Sequence, residues 1–211
     1  MPLEDAAVIG CAVMTGAGAV LNTAALEPGG EVAVVGLGGV GMNALLAAVL
    51  SGAARIVAVD TNPEKLRLAR EWGATDTVLS GRPETAAEVR EATAGGLDVV
   101  IETAGSIPAM ETAIAITARG GRTISAGLPE ATRELSCLHA ALVSDERSIQ
   151  GSYMGSCVPE RDVPRFVALY KRGRLPIQLL RSGFIGLDEL NEGFDRLAEG
   201  GVLRQIMRPN A

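Results

Sequence analysis

Aromatic side chains are scarce in this sequence, with one Trp, two Tyr and three Phe among 211 residues. The interior must therefore be built from Ala, Val, Leu and Ile. Histidine occurs once, as His139, without a Cys or acidic partner at ligand spacing, so it reads as a structural or surface residue. Cysteine occurs three times, at Cys11, Cys137 and Cys157. An odd count at wide spacing is not a disulfide framework and fits reduced thiols in a cytoplasmic protein. No Lys/Arg cluster offsets the formal net charge of −6, and an acidic surface repels phosphate backbones, so no nucleic acid partner is expected. The longest uninterrupted apolar run, Ala44 to Leu50, falls well short of the ~20 residues that span a bilayer, and no membrane partner is expected. Met1 to Asp5 carries no basic region ahead of an apolar run, so it does not read as a secretory signal.

What is present is the balance of an ordinary globular protein: 47% hydrophobic and 21% charged residues. A chain of this length predicts one domain with at most a small appendage. It can bury roughly 70% of its unfolded surface without a disulfide or metal staple. Short β-branched runs alternate with helical patterns. Strands are predicted at Glu31–Val35, Arg55–Val59, Thr77–Leu79, Asp98–Ile101 and Gly121–Ser125. Helices are predicted between them at Val40–Leu50, Pro63–Trp72, Pro83–Ala92 and Ile107–Ala118. Continuously apolar strands separated by helices indicate a parallel sheet covered on both faces, a doubly wound α/β fold. Two regions break the rhythm. Leu3 to Ala25 is an apolar, Gly-rich helical stretch, and the chain beyond Ala131 predicts a strand at Ser148–Tyr153, helices at Val163–Arg172 and Leu187–Ala198, and a last strand at Val202–Met207.

Gly36-Leu37-Gly38-Gly39-Val40-Gly41 lies between the first strand and its helix, the context in which a glycine-rich turn binds a dinucleotide. Gly36 permits the tight turn, Gly38 removes a side chain that would block a pyrophosphate, and Gly41 lets the helix pack closely on the strand. Free N–H groups at the helix start then face the diphosphate. Asp60 ends the second strand nineteen residues after Gly41, where a carboxylate accepts from both adenosine ribose hydroxyls. The same charge opposes a 2′-phosphate, and the next residues, Thr61, Asn62 and Pro63, supply no Arg to reverse that preference. A Rossmann-type fold with NAD as cofactor follows. The alternative is a plain tight turn with Asp60 as a helix cap.

Together with Ile9-Gly10-Cys11, Thr15-Gly16, Lys65 and Asn191-Glu192-Gly193-Phe194, these motifs resemble the zinc-dependent medium-chain alcohol dehydrogenases, in particular the NAD-dependent branch that includes class III enzymes. The resemblance runs from about Pro2 to Arg208. It implies that Gly36, Leu37, Gly38, Gly39, Val40 and Gly41 hold the pyrophosphate, aided by Arg204, and that Asp60 and Lys65 take the adenosine ribose. It places Ala126, Gly127 and Leu128 beside the nicotinamide carboxamide, with Thr15 nearby and the backbone of Ser152 to Met154 closing that pocket. It matches Cys11 to a ligand of the catalytic zinc. The residues by themselves leave other readings open: Lys65 and Arg204 as solvated charges, and Cys11 as a small buried hydrophobe.

The resemblance also implies an upstream substrate domain that carries a Cys and a His for the catalytic zinc and a four-cysteine lobe for a structural one. This sequence starts just before the last of those zinc cysteines. One thiolate cannot form a site that needs three protein ligands and an open position. The expectation is that residues 20–153 form a dinucleotide-binding domain, and that 1–19 and 154–211 pack with the other half. The chain then binds NAD but does not oxidise alcohols alone, zinc being expected only in a longer family member, whose substrate is an alcohol or aldehyde. The alternative is a stand-alone NAD-binding or dimerising module. A homodimer is expected through the sheet edge near 148–153. The apolar face of Leu3 to Val20 and the C-terminal segment is expected to lie exposed.

Overall fold

A computed structural model describes residues 1–209; the last two residues of the expected 154–211 segment lie outside the described part. Six strands, β1 (Glu31–Val35), β2 (Arg55–Asp60), β3 (Asp76–Leu79), β4 (Leu97–Glu102), β5 (Thr117–Ser125) and β6 (Ser148–Gly151), form one sheet in the order β3-β2-β1-β4-β5-β6. Every pairing in it is parallel. This is the strand order of the Rossmann-type doubly wound fold.

Period-two alternation within each strand divides the core. Val32, Val34, Ile56, Ala58, Val99, Ile101 and Ile124 face the helix Gly39–Leu50 and the N-terminal helix. Ala33, Val35, Val57, Val59 and Val100 face the opposite layer, which includes Val89 from the helix Thr85–Ala92 and Ala113 and Ile116 from the helix Ile107–Ile116. Both faces are covered at the centre of the sheet, which is why β1 and β2 are apolar between their end residues. The helix Pro63–Glu71 begins with Pro at its first position, and the Asn62 side chain accepts from the Glu64 N–H at 2.9 Å. Asn62 therefore caps this helix, and the carboxylate of Asp60 is left for other partners.

The N-terminal helix, Leu3–Thr23, corrects two expectations. It is long and apolar enough to cross a membrane by length and composition, although 67% of its apolar window is buried inside the fold. Counting only uninterrupted apolar runs missed it because Gly10, Thr15, Gly16 and Gly18 break the runs without adding charge. Its apolar face is also covered, not exposed: Val8, Ile9, Val13, Met14, Ala17 and Val20 are buried, while Leu3, at 85% exposure, Ala7, Gly10 and Cys11 meet solvent. The reason is close packing through glycine. A Cβ on Gly16 would lie 2.1 Å from the Val40 carbonyl oxygen, and one on Gly18 would lie 2.5 Å from the Gly155 carbonyl oxygen. Two π-helical turns, Ile9–Val13 and Ala19–Thr23, adjust the helix to these contacts.

The chain after β5 differs most from expectation. A short helix, His139–Ser144, was not foreseen, and His139 itself is exposed. The helix expected from Val163 begins earlier, at Pro159, with Pro again in the first turn. The final strand β8 (Arg204–Met207) pairs in parallel with an unforeseen β7 (Arg181–Ile185) as a separate two-stranded sheet. Phe184, Leu187 and Phe194 are exposed there, so the C-terminal part of the expected apolar face does meet solvent. Tyr170 donates to Asp5 at 2.6 Å and Arg181 donates to it at 3.0 Å, which ties this region to the N-terminal helix. Asp5 is almost fully buried, and these two partners satisfy it.

Candidate functional site

The carboxyl ends of β1, β2, β4 and β5 converge where the chain order reverses between β1 and β4, the crevice position of open α/β sheets. Gly36 follows β1 with φ +90°, and a Cβ there would press on Ala104 at 2.8 Å. A Cβ on Gly41 would fall 1.8 Å from the Gly36 carbonyl oxygen, so the helix Gly39–Leu50 approaches its own turn too closely for any side chain. Around Gly38, which precedes that helix, nothing lies within 4 Å of a Cβ. Packing within the chain therefore does not require glycine at 38. The open space leaves the N-terminal amides of the helix approachable by an anion.

Asp60 closes the turn from the β2 side. Its Oδ2 accepts from the Leu37 N–H at 2.5 Å and its Oδ1 from the Asn62 N–H at 2.8 Å. The carboxylate is nearly buried and lies beside the glycine turn. Two hydrogen bonds leave a carboxylate about two further lone-pair positions for hydroxyl donors. Arg204 reaches the turn from β8: its guanidinium carbon would lie 2.5 Å from a Cβ on Gly39. Its Nη1 donates to the Leu203 carbonyl at 2.9 Å.

Two cavities flank the turn. The first, about 560 Å³, is lined by Gly36, Asp60, Ser80, Arg82, Ala104 and Ser106 among others. The second, about 650 Å³, is lined by Cys11, Thr15, Val40, Thr103, Ala126, Gly127, Leu128, Ser152 and Met154 among others. Residues far apart in sequence are thus brought together: the Thr15 hydroxyl donates to the Met154 sulfur at 3.7 Å. Lys65 is not part of either cavity wall; its ammonium lies near Gly200, 3.5 Å from where a Cβ there would be. Cys11 is exposed at the mouth of the second cavity, which removes the reading of it as a buried hydrophobe.

The donor chemistry separates the two groups that such a site implies. The open amides at Gly38, the buried carboxylate of Asp60 and the guanidinium of Arg204 fit a dinucleotide. A catalytic zinc does not fit the described residues: no group of three His, Cys, Asp or Glu side chains comes together, and Cys11 stands without further ligands.

Sequence reasoning missed two contributors. Thr103 donates from Oγ1 to the Gly36 carbonyl at 2.6 Å, fastening the glycine turn to the end of β4. Glu102, 1% exposed, accepts the Gly105 N–H at 2.7 Å. Burial pushes its carboxyl above the usual carboxylate range, against the opposing backbone N–H groups of Gly105, Ala104, Gly127 and Ser106. The signal was available: an acid directly after an apolar strand run, the pattern that singled out Asp60.

The profile of the family described as zinc-binding dehydrogenase matches residues 39–172. The chain is 35% identical to alcohol dehydrogenase class-3 of Myxine glutinosa over 211 residues, 98% of this chain and 56% of that protein. It is 32% identical to alcohol dehydrogenase 1 of Trifolium repens, covering 98% of this chain and 55% of the relative. Among solved structures, benzyl alcohol dehydrogenase from Acinetobacter calcoaceticus superimposes with a TM-score of 0.94 at 31% identity, covering 98% of this chain and 57% of that one. The chain is thus an α/β protein with the Rossmann-type sheet of this group, and it belongs to the zinc-binding alcohol dehydrogenase family. It spans little more than half the length of the curated relatives it matches.

Proposed function

We propose that this chain is the NAD-binding part of a zinc-type alcohol dehydrogenase, an oxidoreductase that moves a hydride between an alcohol or aldehyde and NAD. Residues 20–153 form the binding unit, and residues 1–19 and 154–211 are the segments that meet the remainder of such an enzyme. The observation that carries the reading is the hydrogen bond from the Leu37 N–H to Asp60, which sets a carboxylate at the edge of an open glycine turn between two cavities. In this reading the first cavity takes the adenosine and the second the nicotinamide, which when bound accepts or gives the hydride. Gly36 to Gly41 and Arg204 hold the pyrophosphate, and Asp60 takes the ribose hydroxyls. Lys65, in the first turn of its helix, takes the ribose in this reading only by swinging away from Gly200, beside which its ammonium lies. Ala126, Gly127, Leu128, Thr15 and the Ser152 to Met154 backbone orient the nicotinamide.

No step is assigned to a metal, because the described residues offer only Cys11 toward one. The polypeptide is therefore proposed to bind NAD without oxidising alcohols, in a cytoplasmic setting. A homodimer through the free edge of β6 is proposed with it. Calorimetric titration of the purified chain with NAD and NADP tests the reading. Saturable NAD binding at least about tenfold tighter than NADP is expected, since a carboxylate and a phosphate ~4 Å apart repel by up to a few kcal/mol at an effective dielectric of ~20. Absence of NAD binding, or equal affinity for both, would refute it. Zinc-dependent alcohol turnover by the chain alone would refute its inactivity.

A further inference from the structure

We propose that Glu102 is a positioning residue that fixes the walls of the two cavities relative to one another, so that a ligand spanning both is held as one. The inference rests on the coenzyme reading above.

Glu102 ends β4, whose neighbouring positions Val99, Val100 and Ile101 are buried and apolar. Its Oε1 accepts from Gly105, in the turn whose Ala104 and Ser106 wall the first cavity. Its Oε2 faces the turn after β5, whose Ala126, Gly127 and Leu128 wall the second cavity: a Cβ on Gly127 would lie 2.9 Å from Oε2 and 2.2 Å from the Gly105 nitrogen. The main-chain oxygen of Glu102 also accepts from Ala126 at 2.8 Å and Gly127 at 3.1 Å. The side chain thus lies between two turns that belong to different cavities. The carboxylate's partners are backbone N–H groups, not a cation.

Oε1 takes the Gly105 N–H and Oε2 faces the Gly127 turn, whereas an amide puts an NH₂, which cannot accept, in one of these two places. In Glu102→Gln the oxygen stays on the Gly105 N–H, and the NH₂ meets the Gly127 side. A merely space-filling role would not distinguish the two cavities; a positioning role does.

The test titrates the full chain and Glu102→Gln with adenosine monophosphate, which needs only the first cavity, and with NAD, which needs both. Adenosine monophosphate affinity is expected to stay within about twofold, while NAD affinity falls about tenfold, because a buried NH₂ set toward the backbone N–H groups of the Gly127 turn finds no acceptor there and displaces that turn. Equal loss for both ligands, or no loss for NAD, would overturn the proposal. Glu102→Ala, which removes both oxygens, is the second variant and is expected to weaken both ligands, NAD the more. A wild-type chain that binds neither ligand overturns the coenzyme reading along with this one. Wild-type binding with a flat response in both variants overturns the positioning role alone.

Discussion

Asp60 has two duties in this fold, and two substitutions separate them. It holds the Leu37 N–H at 2.5 Å and the Asn62 N–H at 2.8 Å, and in the proposed function it also accepts from the ribose. Hydrogen bonds to a charged group contribute ~1.5–3 kcal/mol each. Asp60→Ala removes every acceptor, strands the Leu37 N–H in a nearly buried place, and is expected to weaken NAD binding by about a hundredfold. It is expected to cost ~1–3 kcal/mol of stability as well, the desolvation penalty of an unpaired donor. Asp60→Asn keeps one oxygen for Leu37, so most of the stability should remain.

What Asp60→Asn removes is charge. Taking ~4 Å and an effective dielectric of ~20, the repulsion between a carboxylate and a 2′-phosphate is ~4 kcal/mol before salt screening. The ratio of NADP to NAD affinity should therefore rise at least about tenfold in Asp60→Asn, more at low salt than at high. Calorimetry gives both affinities, and urea unfolding reports stability separately. If the ratio in Asp60→Asn stays within about twofold of wild type, charge at this position does not select the coenzyme, and the assignment of Asp60 to the ribose is wrong.

Two glycines of the turn should respond in opposite ways. Gly38→Ala meets nothing within 4 Å and should leave the unfolding midpoint unchanged while weakening NAD binding at least tenfold, whereas Gly41→Ala drives a Cβ to 1.8 Å from the Gly36 carbonyl and should cost ~2 kcal/mol or more of stability. Among the thiols, Cys11 and Cys137 are exposed, while burial pushes Cys157 up to about 11. A thiol-specific reagent near neutral pH should therefore modify the first two at least about tenfold faster than Cys157, and comparable rates for all three would contradict the described packing. Asp76 is held below its ordinary value, first by its hydrogen bond from Arg55. A lowered folded pKa contributes stability above the unfolded carboxylate range, and that contribution fades as pH falls through the folded value. Both side chains are partly exposed, so Asp76→Asn should cost under ~1 kcal/mol near neutral pH, and its difference from wild type in urea unfolding should vanish in acid.

The central sheet was legible because local and global signals coincide there. β1 and β2 are apolar at every interior position, β4 at all but Asp98, and they lie between helices with their own start signals, such as Asn62-Pro63 and Ser106-Ile107-Pro108. The region after β5 was less legible because its elements take their reason from distant partners. Arg181 and Ser182 give no alternation that marks a strand. β7 forms because β8 comes alongside, with Leu203 donating to the Ser182 hydroxyl at 2.8 Å, and because Arg181 reaches the buried Asp5. Contacts separated by 21 residues, as between Leu203 and Ser182, or by 176, as between Arg181 and Asp5, leave little local trace in sequence.

The N-terminal helix failed the exposure expectation for a related reason, and its failure bears on the site. An apolar stripe read alone predicts a bare face wherever no partner is evident. Here the partner is the helix that follows the glycine turn, reached through Gly16, where a Cβ would strike the Val40 carbonyl. The same contact sets Thr15 and Cys11 against the second cavity, and Gly18 against Gly155 brings the Met154 turn to its other side. Close approach through Gly16 and Gly18 therefore builds the cavity that the central sheet alone leaves open. A side chain added at Gly16 should accordingly disturb ligands that enter the second cavity more than adenosine monophosphate, which is confined to the first.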